Sequence, residues 1–319
     1  MNKYILICIA VLTVSCNSNK KQQNETETTT NEVTVAYETD AKLGEGAIWN
    51  HETNELYWID IEGKSLNMFN PKTKQNRSFS TASQIGTVVP KNNKEALIAL
   101  IDGVYTMNLE TGQTTVFADM TDVLTGCRLN DGKCDPAGRL WVGSMHWQQE
   151  IGKATLFSIQ NDSTVTTKID SVTISNGIVW TKDKKTMYYI DTPTSQIKAY
   201  DYDNATGNIS NERVAVEISK DLGFPDGMAI DAEDMVWVGM WNGNAVIRFN
   251  PKTGELLQKI EVPAHNVTSC AFGGDNLETL FITSAKLDMT EEELKKYPLA
   301  GSVFKVNPGV KGVKSSFFK

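Results

Sequence analysis

Short apolar runs punctuate this chain at a nearly constant interval. Leu56-Tyr57-Trp58-Ile59 is followed by Ala96-Leu97-Ile98-Ala99, Leu140-Trp141-Val142-Gly143, Met187-Tyr188-Tyr189-Ile190, Val236-Trp237-Val238-Gly239 and Leu280-Phe281-Ile282-Thr283. From Leu56 through Leu97, Leu140, Met187 and Val236 to Leu280 the steps are 41, 43, 47, 49 and 44 residues. Each run has strand length and strand composition. Most lead into a second strand, such as Ser65–Asn70 or Ala245–Asn250, and then into Pro71-Lys72-Thr73, Glu110-Thr111-Gly112 or Pro251-Lys252-Thr253-Gly254. Pro presets a turn φ and Gly accepts φ > 0, so these are hairpin corners. A period of 41–49 residues holding about four short strands is the signature of a propeller blade. Six repeats predict an all-β, six-bladed β-propeller; a pair of β-sandwiches would need no constant period.

One stretch departs from the strand pattern. Thr290–Lys296 opens with a capping box of Thr290 and Glu293, which predicts a short helical insertion in the last blade. The strand Val33–Tyr37 is expected to close the ring by pairing with that same blade.

The chain starts differently. Lys3 precedes the apolar run Tyr4–Leu12, too short to span a hydrocarbon core of ~30 Å and of the length of a signal-peptide core. It ends in Leu12-Thr13-Val14-Ser15-Cys16, a small residue before a cysteine, which resembles a relaxed bacterial lipoprotein processing site. Residues 1–15 are thus expected to be a signal peptide and Cys16 the lipid-modified residue; plain secretion or a transmembrane anchor is the alternative. Residues 16–32 after Cys16 hold no apolar side chain and predict a disordered tether. Residues 33–319 form the propeller, an extracytoplasmic domain held to a bacterial membrane only through the lipid.

Composition narrows the partners. The 319 residues carry 31 Lys+Arg against 39 Asp+Glu, a net charge of −8. Removing residues 1–15 takes away only Lys3. Without clustered cations this balance disfavours a nucleic-acid binder. Five spread cysteines make no disulfide scaffold and no zinc-type CxxC pair. Cys127 and Cys134 flank one loop, and a disulfide between them stays open.

The candidate chemistry shares a phase. Ten or eleven residues ahead of the periodic runs stand Glu45, Asn130, Asn176 and Asp226, each beside a glycine or within a residue or two of one. At that phase the innermost strand of each blade begins, so four oxygen-bearing side chains converge on one end of the central axis. Two carboxylates and two amides without His or Cys are hard ligands, suited to Ca²⁺, Mg²⁺ or Mn²⁺; zinc usually takes nitrogen or sulfur. Asn-Gly and Asp-Gly are also common turns, but turns alone explain neither the shared phase nor the glutamate.

These residues sit in Leu43-Gly44-Glu45-Gly46-Ala47-Ile48-Trp49, Arg128-Leu129-Asn130-Asp131-Gly132, Ser175-Asn176-Gly177, Phe224-Pro225-Asp226-Gly227 and Tyr297-Pro298-Leu299-Ala300-Gly301-Ser302. Over roughly residues 40–305 the sequence resembles the SMP-30/gluconolactonase/LRE-like (regucalcin) family. The resemblance implies a six-bladed propeller with one divalent cation, calcium first, with Zn²⁺, Mg²⁺ or Mn²⁺ as alternatives, that hydrolyses lactones. It implies Glu45, Asn176 and Asp226 as metal ligands, Arg128 and Asn130 as substrate contacts, and Asp226 also as acid/base. Some relatives carry a substrate-binding acid shortly after a Gly-Ser/Thr-Met segment. Here Gly143-Ser144-Met145 leads to Gln148 near that place, which puts the relatives' substrate preference in doubt.

The chemistry is consistent on its own terms. A cation with three protein ligands has room to polarise a lactone carbonyl. Arg128 offers fixed charge and paired donors to the developing anion. Asp226 takes the water's proton itself, or it only orients a water that the cation has already acidified; both schemes stay open. The rival readings are a non-catalytic propeller binding carbohydrate or protein, and an esterase or phosphotriesterase on the same site.

Other signals are weaker. Asp201–Glu212 has its glycine one place late for a calcium loop. No Gly-x-Ser-x-Gly elbow occurs. Trp49, Trp58, Trp141, Trp180 and Trp237 recur near strand starts and are expected to pack blades.

Overall fold

The structure is a computed structural model that describes residues 32–319. The signal-peptide, Cys16 and tether readings fall, but for residue 32, outside the described residues. Six four-stranded antiparallel sheets account for nearly all of the regular structure. In blade 1 the chain runs outward through Gly44–Asn50, Glu55–Asp60, Ser65–Asn70 and Gln75–Ser80. The innermost strands of the next four blades are Thr87–Pro90, Cys127–Cys134, Ser175–Trp180 and Phe224–Ile230. Blade 6 is built from Asn266–Gly273, Thr279–Ala285 and Val303–Val306, and its outermost strand is Thr34–Tyr37 from the start of the propeller. Thr34 pairs with Lys305 and Val35 with Phe304, so the two ends of the domain close the ring as expected.

Burial explains why the repeats read as apolar runs. Inner and second strands have neighbouring blades on both faces, and Gly44–Asn50 and Glu55–Asp60 are buried throughout. The outermost Gln75–Ser80 faces water along most of its length. Trp49 stacks on Phe281 at 5.5 Å and 6°, joining blades 1 and 6 at the closure. Trp141 meets Trp180 edge-on at 5.8 Å between blades 3 and 4. These tryptophans pack blades, as the sequence suggests.

The hairpin corners use an asparagine one or two places ahead of the quoted turns. Oδ1 of Asn70 accepts from the backbone of Lys72 and Thr73, Asn108 does the same for Glu110 and Thr111, and Asn250 accepts from Lys252. The insertion in blade 6 is the helix Glu291–Lys296, with Thr290 and Glu293 forming the reciprocal capping box.

The last ten residues do something the repeat does not announce. Gly312 bridges to Asp231 of blade 5 and donates to Leu277 O of blade 6. Phe317 lies against His51 of blade 1, Phe318 N donates to Pro90 O of blade 2, and Lys319 N to Gly138 O of blade 3. This strap crosses the end of the axis where the inner strands finish, opposite the end where Glu45, Asn130, Asn176 and Asp226 stand.

Cys127, Cys134 and Cys270 are free and buried. Cys127 and Cys134 open and close one eight-residue strand. At about 3.3 Å per residue that separates them by roughly 20 Å, far beyond disulfide reach.

Candidate functional site

Five of the six inner strands break register at the same height. The ladder skips from Glu45 to Ile48, from Leu129 to Gly132, from Ser175 to Ile178, from Pro225 to Met228 and from Val267 to Cys270. Asn130, Asn176 and Asp226 are among the skipped residues, and Glu45 is the last paired residue before its break. A bulge releases a residue from strict in–out alternation and re-aims its side chain. Blade 2 pairs without interruption from Thr87 to Pro90, and none of these four residues lines the cavity described next.

The glycines that follow have a packing reason. A Cβ on Gly177 would stand 2.5 Å from the Met228 Cβ and 2.8 Å from the Asp226 carbonyl. One on Gly227 would stand 2.5 Å from Ser269 Oγ. Asn176-Gly177 and Asp226-Gly227 are therefore close approaches between neighbouring inner strands rather than turns.

Glu45, Arg128, Asn130, Asn176 and Asp226 all line one cavity of about 470 Å³. Each is buried, 6–8% exposed. A directed chain of hydrogen bonds orders them. Arg128 Nη1 donates to Asn130 Oδ1 at 2.7 Å and to Leu129 O at 3.0 Å. Asn130 Nδ2 donates to Ser175 O at 2.7 Å and Asn176 Oδ1 at 3.1 Å. Asn176 Nδ2 donates to Thr192 Oγ1, which donates to Pro225 O, both at 2.7 Å. The chain ends one residue from Asp226 and fixes which face of each amide presents oxygen. Two of the five Arg128 N–H donors are used, so three are left for a ligand.

The two carboxylates come together from blades 1 and 5, near enough for each to act on the protonation of the other. Burial, then the charge of Asp131, pushes Glu45 up to about 8. Burial, then Glu45 and Asp131, raises Asp226 well above the usual carboxylate range. Burial lowers the Arg128 pKa, which Glu62 and Glu45 partly restore. Adjacent buried carboxylates call for a compensating positive charge. The oxygen donors of Glu45, Asp226 and the Asn176 amide suit a hard divalent cation. Only two of those donors are carboxylates, and among the described residues no three His, Cys, Asp or Glu are grouped to hold a metal.

Gln148 is exposed and does not line the cavity; its neighbours Trp147 and Gln149 do. Sequence reasoning missed these two, along with Glu62, Thr192, Trp241 and Asp288, which also line it. Trp241 ends the strand Val236–Trp241; the others come from the segments between strands, which carry no repeat phase. Trp147 and Phe224 are 44% and 39% exposed and form an aromatic mouth above the buried polar set.

The comparisons agree with this architecture. Residues 43–286 match the family model described as SMP-30/Gluconolactonase/LRE-like region. The chain is 38% identical over 267 residues to the Bacillus subtilis (strain 168) protein named "Putative sugar lactone lactonase YvrE", covering 84% of this chain and 91% of that one. It is 38% identical over 275 residues to regucalcin of Danio rerio, covering 85% and 93%. The crystal structure of a calcium-binding protein, regucalcin, from Agrobacterium tumefaciens superposes with a TM-score of 0.85 at 26% identity, covering 89% and 96%. With four of its five quoted motifs contributing to one cavity of a six-bladed propeller and residues 43–286 matching the family model, the chain belongs to the SMP-30/gluconolactonase/LRE-like family.

Proposed function

We propose that this protein is a hydrolase that opens the ring of a sugar lactone in the cavity between Glu45, Arg128, Asn130, Asn176 and Asp226. The observation that carries this reading is the convergence of two carboxylates, two amides and one guanidinium from four blades, all buried and all lining one cavity. Kinship with a protein named for sugar lactone hydrolysis supports it.

Glu45, Asn176 and Asp226 would hold one divalent cation, calcium ahead of Mg²⁺, Mn²⁺ or Zn²⁺. When bound, the cation polarises the lactone carbonyl and stabilises negative charge on its oxygen. Arg128 directs its remaining donors at that oxygen or at ring hydroxyls. Asn130 is held by Arg128, Ser175 and Asn176, so its position is set before substrate arrives. Asp226 accepts a proton from the attacking water and returns it to the ring oxygen as the C–O bond breaks. The product is a hydroxy acid, which ionises at neutral pH and releases one proton per turnover.

That proton is the assay. The full chain is mixed with a panel of sugar lactones in weak buffer, first with EDTA and then with Ca²⁺, Mg²⁺, Mn²⁺ or Zn²⁺ restored. Cation-restored acid release from one lactone is the expected result. No release with any cation, on protein shown to be folded, would overturn the reading in favour of a binding propeller.

A further inference from the structure

The opposite end of the axis holds a second cavity, of about 210 Å³, between the ends of the inner strands and the C-terminal strap. Its apolar walls come from Val179, Ala229, Ile230 and Phe272, and its far side from Val313–Ser316. Its charged lining is of one sign: Lys133, Lys182, Lys184 and Lys314, with no Asp or Glu among its lining residues. In a chain of net charge −8 this is an unusual concentration.

The lysines have few competing partners. Lys182, Lys184 and Lys314 are exposed, and none is in an ion pair among the described residues. Asp183, between two of them, is turned to Thr181 Oγ1 and Lys185 N. Lys133 is half-buried at the inner end, where its Nζ donates to Met228 O and its charge favours the Asp131 carboxylate. Trp180 lines the same cavity while its ring packs against Trp141 and Tyr202 at 5.8 and 5.9 Å, so the lysines carry the polarity of the site.

Like charges around a recess with low-dielectric walls focus a field that concentrates counter-ions. Lys182, Lys184 and Lys314 are in no ion pair among the described residues, so the complementary ligand is one bearing negative charge. The volume is below the usual range for a drug-sized ligand, which selects a small one. We propose that this cavity is a second ligand site that takes a small multi-oxygen anion, a phosphate or a carboxylate. It is separate from the hydrolytic cavity, shares no lining residue with it, and does not depend on the lactonase reading.

The test is isothermal titration of the full chain at constant ionic strength, with inorganic phosphate, gluconate and uncharged glucose as separate probes. Saturable binding of phosphate or gluconate, without binding of glucose, is expected, and whichever anion binds identifies the class. Lys314→Ala, and separately Lys182→Ala with Lys184→Ala, should each weaken it by roughly tenfold or more. With phosphate as the probe, Arg128→Ala, which alters only the other cavity, should leave binding unchanged. All three lysines are exposed, so these variants keep the fold. The proposal is overturned if neither anion binds by tens of millimolar, or if the lysine variants bind as tightly as the parent while Arg128→Ala does not.

Discussion

Asn130 of blade 3 donates through Nδ2 to Oδ1 of Asn176 in blade 4 across 3.1 Å, and the same nitrogen donates to Ser175 O at 2.7 Å. One amide therefore registers two blades at the height of the cavity, while its oxygen is claimed by Arg128. Asn130→Ala leaves the Ser175 carbonyl, the Asn176 oxygen and one Arg128 N–H each short of a partner. Each orphaned buried group costs about 1–3 kcal/mol. The variant should lose stability in urea unfolding and also lose kcat/KM on a lactone substrate. Parent-like values of both would show that the amide neither joins the blades nor serves the site.

Asp226→Asn separates shape from proton transfer, since the amide is nearly isosteric with the acid. General acid–base groups contribute roughly 10²–10⁴-fold to rate. A drop of that order in kcat is expected, with circular dichroism unchanged and cation affinity measured alongside. Near-parent kcat with cation bound would remove Asp226 from the acid/base role and leave it only a ligand.

The carboxylate pair makes stability depend on pH. Glu45 is pushed up to about 8 and Asp226 is raised too, burial being the first cause of each. Between the unfolded pKa near 4.5 and about 8, the folded state retains protons that the unfolded chain has released. Stability therefore falls as pH rises through that window. In EDTA the Tm should decline between about pH 5 and about pH 8. Added Ca²⁺ should raise the Tm more at the upper end, where the carboxylates are ready to bind it. A Tm that climbs over this range in EDTA, or a larger calcium effect at the acid end, would contradict the assignment.

Much of this was legible because a propeller repeats its chemistry along with its strands. The apolar runs mark strands buried on both faces, and the common phase of Glu45, Asn130, Asn176 and Asp226 becomes a common height in the ring. The loop residues were not legible. Trp147 and Gln149 line the cavity and Gln148 between them does not, a distinction set by the local turn, where Gln149 has φ 54°. Thr192 fixes Asn176 from a 3₁₀ turn that no other blade repeats. The strap after residue 310 has no counterpart in any blade, so no period could reveal that it covers one end of the axis. The Cys127/Cys134 question turned on a strand whose extent the spacing alone did not fix.

Lipid attachment at Cys16 rests on the sequence of residues 1–32 and has a direct test. Expressed in a bacterial host, the full chain should fractionate with membranes and carry a mass increase on a peptide beginning at Cys16. Cys16→Ala should abolish the modification and release the protein. A variant that stays in the membrane fraction with no mass change in the parent would mean that the apolar run at residues 4–12 is itself the anchor.

Gly227 tests the claim that the glycine after Asp226 exists for blade packing. Its backbone is not in the left-handed region, so an alanine meets no dihedral penalty there. The obstacle is Ser269 of blade 6, whose Oγ and Cβ would lie 2.5 and 2.7 Å from the new methyl carbon. Overpacking of this kind costs about 1–3 kcal/mol. Gly227→Ala should therefore destabilise the protein in urea and, by shifting the adjacent Asp226, lower turnover. Ser269→Gly in the same chain removes both contacts but leaves the Ser269 Cα at 2.9 Å, so recovery should be partial. A double-mutant cycle then reads the coupling directly. A destabilisation that Ser269→Gly does not relieve at all would move the cause away from this inter-blade contact.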